Sequence, residues 1–318
     1  MAGDPATVAE EQPLADTRVG IACTMSSTVC FAGLDTGVKY LSGFYPVLEI
    51  AWARYLFQIA LLPFIIRGAR LRDLVRTRRP GLQILRSMLQ VGASLTFFTA
   101  VRTMPVADAS SIGMVAPLLI TVLAIPFLGE KVGARRWTAV SIGLVGALII
   151  IRPGSGMFGV VALLPLASAT RYAFYQITTR LLAHVDPPVT TFFYSGVVGT
   201  VVLTGAMPFV WQTPDLAGWG LLMMLGLLGG GGHFLLIHAL RRAPASLLAP
   251  FGYIQLVWVT ILGYLVFDGF GRRFRTAAAR FGTLRSEAAL QESKRLLLNA
   301  VALAYYNIQL SRESIIIS

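Results

Sequence analysis

The residues able to do chemistry in this sequence are few, and most of them sit inside long apolar runs. Asp35, Glu49 and Arg54 fall in the first two runs, Arg171, Tyr172, Tyr175 and Gln176 in a later one, and His233 and His238 in another. Ionisable groups at membrane depth are expensive, so those kept there serve a solute or ion pathway by default. An Arg54–Asp35 or Arg54–Glu49 ion pair would offset the cost of burial. Read functionally, the same charges meet a polar substrate. Arg171 and Tyr175 are four residues apart and share a helix face. With Tyr172 and Gln176 they suit an anionic or aromatic ligand through charge and stacking. The competing structural reading has Arg171 snorkelling to the interface. Tyr253, Gln255 and Trp258 are further candidates for a cavity wall, although Tyr253 and Gln255 do not share a helix face. His238 is a candidate proton relay, set against the plainer reading of a hydrogen-bonded packing histidine.

Other chemistries find no support. His233 and His238 are five apart, which fits no usual helical metal pair. Cys23 and Cys30 are seven apart. On a helix that places them about 10.5 Å apart, too far for a disulfide. Gly229–Gly232 lacks the Lys-Ser/Thr of a phosphate loop. No serine hydrolase, metalloprotease or kinase pattern is present. We therefore expect no catalytic residue, no metal and no cofactor, and a protein that is not an enzyme.

These groups need elements that can hold them. The chain has 318 residues, 55% hydrophobic and 13% charged, where a soluble domain carries about 25% charge. Such a chain uses lipid as solvent for much of its exterior. A net charge of +12 would suggest nucleic acid for a soluble protein. Here the basic residues gather in short breaks between apolar runs, where they set orientation, so no nucleic-acid partner is expected. Apolar runs predict helices near 19–40, 46–66, 82–101, 106–128 and 137–151, then 158–179, 189–211, 219–240 and 246–267. Residues 1–18 are read as a cytoplasmic N-terminal segment rather than a signal peptide, because 1–17 carry four acids and no basic residue.

The break after the second run holds Arg67, Arg70, Arg72, Arg76, Arg78 and Arg79, the strongest cytoplasmic signal in the chain. It places the N-terminus inside, and alternate breaks with Lys131, Arg135, Arg136, Arg180, Arg241 and Arg242 agree. An internal repeat is also visible. Residues 97–105 match 236–244 at an offset of 139, which also pairs Gly92 with Gly231 and Gly113 with Gly252. Lys39-Tyr40-Leu41 faces Arg180-Leu181-Leu182 more weakly. Each repeat holds an odd number of spans, so the copies are inverted, a design that places a substrate site between the halves. The expected fold is an all-α integral membrane protein, an inverted-repeat bundle of nine to ten transmembrane helices with an atypical C-terminal tail.

The stretch from Asp108-Ala109-Ser110-Ser111 through Pro117 to Leu128-Gly129-Glu130-Lys131 resembles the first repeat of the drug/metabolite transporter superfamily, in its EamA branch. Trp137 and Ile149-Ile150-Ile151-Arg152-Pro153-Gly154 continue the likeness, and Tyr172 to Phe267 resembles the second repeat. The resemblance implies ten helices, both termini cytoplasmic, and a central cavity opening alternately to each side. It implies transport of a small polar or aromatic metabolite across the inner (plasma) membrane, with a small-molecule substrate and the lipid bilayer as partners. On this basis 19–151 is the first repeat with five helices, 158–267 the second with four clear helices, and 268–318 the tail. The tail departs from the family, since 271–295 carries Arg272, Arg273, Arg275, Arg280, Arg285 and Arg295. Arginines cost about 2.5–3.5 kcal/mol each at a helix centre, so this segment is predicted not to cross, leaving the tenth helix in doubt. The alternative function is a truncated or fused family member that inserts without transporting.

Overall fold

A computed structural model describes residues 14–60, 62–65, 74–151 and 160–269. The readings made for 1–13, for Arg67, Arg70 and Arg72, and for the tail from 270 onward lie outside the described residues. Among those described, nine helical rods follow one another. They are α1 (Leu14–Leu41), α2 (Val47–Ala60), α3 (Pro80–Thr103), α4 (Val106–Gly113 with Ala116–Leu128) and α5 (Ala134–Ile151). The second series is α6 (Leu163–Leu182), α7 (Pro188–Thr204), α8 (Leu216–Arg242) and α9. The last begins at Ala245–Leu248, passes through a 3-10 stretch at Ala249–Tyr253, continues as Ile254–Gly263 and closes in a π turn, Tyr264–Gly269. Five rods are long and apolar enough to cross a membrane by length and composition: Asp16–Leu41, Pro80–Thr103, Val106–Leu128, Leu216–Arg242 and Ala245–Phe267.

The ends follow local chemistry. Pro80 and Pro188 occupy the first turns of α3 and α7, where a missing N–H costs nothing. Asp215 caps α8 by accepting from the Gly218 N–H at 2.7 Å. Glu130, from the Leu-Gly-Glu-Lys stretch, serves as a distant cap for α9, accepting from the Ala245 N–H at 2.8 Å and the Ser246 N–H at 3.0 Å. α1 starts ahead of the predicted 19, its first turn carrying Asp16 where the helix dipole favours an acid.

Two rods are broken where the apolar pattern is continuous. α4 is interrupted after Gly113, because Pro117 has no N–H to return to the Gly113 carbonyl. α9 is interrupted across Pro250 and Gly252, the residue that matches Gly113 in the repeat. Packing follows the same symmetry. α1 packs most extensively on α8, and its repeat counterpart α6 packs on α3, the counterpart of α8. Close approach depends on small residues: a Cβ on Gly226 of α8 would collide with Phe57 of α2.

Candidate functional site

Helices of both series surround a cavity of about 150 Å³. Both helix breaks reach it, through Gly113 and Gly252. Its wall carries two charges. Asp35 of α1 is buried and accepts from Gln255 Nε2 at 2.8 Å. Arg54 of α2 is fully buried and donates from Nη1 to Ser94 Oγ at 2.7 Å. Its guanidinium lies 4.5 Å from the Tyr55 ring centroid, a favourable position for a desolvated cation. Among the described residues no carboxylate pairs with it, and Glu49 accepts instead from the Gln212 N–H at 3.0 Å.

Five buried polar atoms without a partner among the described residues belong to side chains of this wall, and seven others, including Glu49 Oε1, Gln58 Oε1 and Arg171 Nη1, lie elsewhere. Arg54 Nε and Nη2, both amide atoms of Gln90 and the Ser110 hydroxyl are sealed from solvent with no hydrogen-bond partner among the described residues. Each such group costs about 1–3 kcal/mol. Clustered on one cavity, they form a surface that a polar solute would complete.

The sequence-derived candidates separate here. Asp35, Arg54, Tyr172 and Gln176 line the cavity together, as does Gln255. Tyr175 lies behind the wall, its hydroxyl 2.9 Å from His233 Nδ1. Arg171 is partly exposed and rests against Gly92 of α3, off the cavity wall. Tyr253 donates to the Val140 carbonyl at 3.1 Å, and its ring occupies the notch at Gly143 of α5. Trp258 packs against the main apolar core. Glu49 sits at the start of α2. His238 is partly exposed, with Nδ1 at 3.1 Å from Arg242 Nη1. The histidine that reaches the cavity is His233.

Two contributors were missed. Gln90 lines the wall. Arg86 of α3 is fully buried behind it, with Nη2 donating to Tyr175 Oη at 3.0 Å and Nε to Thr179 Oγ1 at 2.8 Å. A signal existed, because Arg86 falls inside the predicted span 82–101.

A bundle of apolar helices from two related series, closing on a largely apolar cavity that holds a few buried polar side chains and touches two broken rods, defines an all-α membrane transporter. The chain belongs to the EamA-like transporter family, whose model matches residues 18–152 and again 157–273. It is 30% identical to the S-adenosylmethionine uptake transporter of Rickettsia bellii, over 79% of this chain and 86% of that protein. It is 29% identical to the riboflavin transporter of Vibrio cholerae, over 76% and 83%. It is 27% identical to the pseudopaline exporter of Pseudomonas aeruginosa, over 78% and 87%. A solved crystal structure, 21% identical, superposes with a TM-score of 0.64 over 91% of this chain and 96% of the other, a likeness of fold.

Proposed function

We propose that this chain carries a small polar or aromatic metabolite across the inner membrane by alternating access, with the two repeats, 19–151 and 158–267, moving against each other around the central cavity. The observation that carries the reading is the group of buried polar atoms on Arg54, Gln90 and Ser110 that have no partner among the described residues, on three side chains that all line one cavity. The solute places an acceptor group toward Arg54 and a donor toward Asp35, and the rings of Phe97, Phe98 and Tyr172 on the same wall accommodate a flat portion.

Symmetry supports alternation. Lys39, at the end of α1, donates to the Met104 carbonyl at the end of α3, 3.1 Å away. Its counterpart Arg180, at the end of α6, donates to the Leu240 carbonyl near the end of α8, at 2.6 Å. With the N-terminus inside, the first latch lies at the outer face and the second at the inner face. Breaking one at a time opens the cavity to one side at a time.

The relatives include both an uptake system and an exporter, so direction is left to measurement. The purified chain in proteoliposomes is to be tested with S-adenosylmethionine, riboflavin and a panel of amino acids and organic acids. Saturable uptake abolished by filling the cavity with Ala93→Trp is the expected result. Insertion without uptake of any panel solute favours a non-transporting family member. Orientation is tested with single cysteines at Arg76 and Asp215 in a background lacking Cys23 and Cys30. Labelling of Asp215→Cys alone by an impermeant external reagent agrees with N-in, and labelling of Arg76→Cys alone reverses it.

A further inference from the structure

We infer that His233 is a solute-contacting hydrogen-bond donor, presented to the cavity as the Nε2–H tautomer because Arg86 and Tyr175 fix its other nitrogen from behind. The inference rests on the cavity being the solute site. His233 is 5% exposed and lines that cavity. Phe31 lies on one side, with ring centroids 4.8 Å apart, and Tyr175 on another, edge-on at 5.4 Å, so the imidazole has little freedom to turn.

The proton's place follows from donor and acceptor counting. A guanidinium only donates. Arg86 Nη2, 3.0 Å from Tyr175 Oη, therefore uses that oxygen as an acceptor. The tyrosine's own proton then points to His233 Nδ1, 2.9 Å away. A hydroxyl that accepts from a cation donates more strongly in turn. With Nδ1 accepting, the ring proton is on Nε2. The opposite arrangement, Nδ1–H onto Tyr175, would aim two donors at one phenolic oxygen and turn the phenol proton toward Thr179, whose hydroxyl oxygen already accepts from Arg86 Nε. Nε2 has no hydrogen-bond partner among the described residues.

The residues of the wall then carry three donors: Arg54 Nη2, Gln90 Nε2 and His233 Nε2–H. The matching ligand feature is an acceptor-rich group, a carboxylate or carbonyl oxygen. Tyr175 and Arg86 are positioning residues, acting on the solute only through the imidazole.

The test combines a spectrum with kinetics. Protein labelled with [15N]histidine, carrying His184→Gln and His238→Gln and placed in nanodiscs, is expected to give one Nε2–H tautomer. Tyr175→Phe should convert that to a mixture and raise KM about tenfold, the size of one hydrogen bond of ~1.4 kcal/mol, with kcat little changed. His233→Gln, whose amide N–H reaches the Nε2 position, should keep KM within about threefold, whereas His233→Asn should not. A wild-type Nδ1–H signal overturns the inference. So does a Tyr175→Phe protein with an unaltered spectrum and an equal melting temperature, or equal KM values for His233→Gln and His233→Asn. Should the wild type carry no solute, the transport reading fails while the spectrum still decides the tautomer.

Discussion

Arg54 and Arg86 are both sealed inside this bundle, and the protein treats them in opposite ways. Arg86 is saturated. Besides Thr179 and Tyr175, it donates from Nη1 to Ser195 Oγ at 2.5 Å and to the Thr191 carbonyl at 3.2 Å, and its carbon lies 4.6 Å from the Tyr175 ring centroid. Among the described residues Arg54 makes one hydrogen bond, to Ser94, and its Nε and Nη2 have none. A buried cation is tolerated when its donors are all engaged. One left partly open is a standing deficit that a ligand can relieve. The difference separates a joint of α3, α6 and α7 from a wall of the cavity, although the two side chains are chemically identical.

The sharpest way to break this contrast is to remove Arg86. Arg86→Met leaves Thr179, Ser195, Tyr175 and the Thr191 carbonyl without their donor. We expect a loss of about 3–5 kcal/mol, read as collapse of the monodisperse peak of detergent-solubilised protein. An unchanged peak with normal melting would mean the network is dispensable. Arg54→Gln should do the reverse. Transport should fall at least tenfold, the equivalent of ~1.4 kcal/mol, while the melting temperature holds or rises because an underpaired cation has gone. A drop of several degrees with normal specific activity would reassign Arg54 to structure.

Glycine replacements sharpen the same comparison at smaller scale. A Cβ on Gly229 would lie 2.6 Å from Arg54 Nε, whereas one on Gly231 meets nothing within 4 Å. Gly229→Ala should displace the guanidinium at a cost of about 1–3 kcal/mol and weaken solute affinity. Gly231→Ala should stay within about 0.5 kcal/mol of the parent. Equal affinities for the two variants would show that Arg54 needs no fixed position. The smallest effects belong to the helix-end cations, each about 0.3–1 kcal/mol. In a protein lacking Cys23 and Cys30 and carrying Ser94→Cys, Lys39→Ala should raise labelling from outside and Arg180→Ala from inside. The same side responding to both would refute reciprocal latching.

Much of the architecture was legible because lipid imposes a long-range rule on a local pattern. Every span needs its backbone bonds made internally and its surface apolar, so runs such as 82–101 and 219–240 mark α3 and α8 to within a few residues. The breaks in α4 and α9 were less visible. Their apolar pattern runs on unbroken, and prolines are its only mark: Pro117 and Pro250 sit at the breaks, while Pro126, which also lacks an N–H, lies inside the second part of α4. Among polar residues, Asp35 and Arg54 were conspicuous because a charge in an apolar run is costly wherever its partner lies. That cost alone did not say whether they met each other, lipid headgroups or a cavity. Arg171 and Arg54 look alike in sequence, yet one rests beside Gly92 and the other on the cavity wall.

The sequence by itself determined that the chain is helical, membrane-embedded and twice repeated, since those properties follow from hydropathy and offset, which are additive along the chain. Only the tertiary structure decided which polar groups are satisfied. Ser195 lies 109 residues from Arg86, and Gln255 lies 220 from Asp35. Hydrogen bonds act over about 3 Å, so the difference between a buried cation with four acceptors and one with a single acceptor arises only when distant helices are packed side by side.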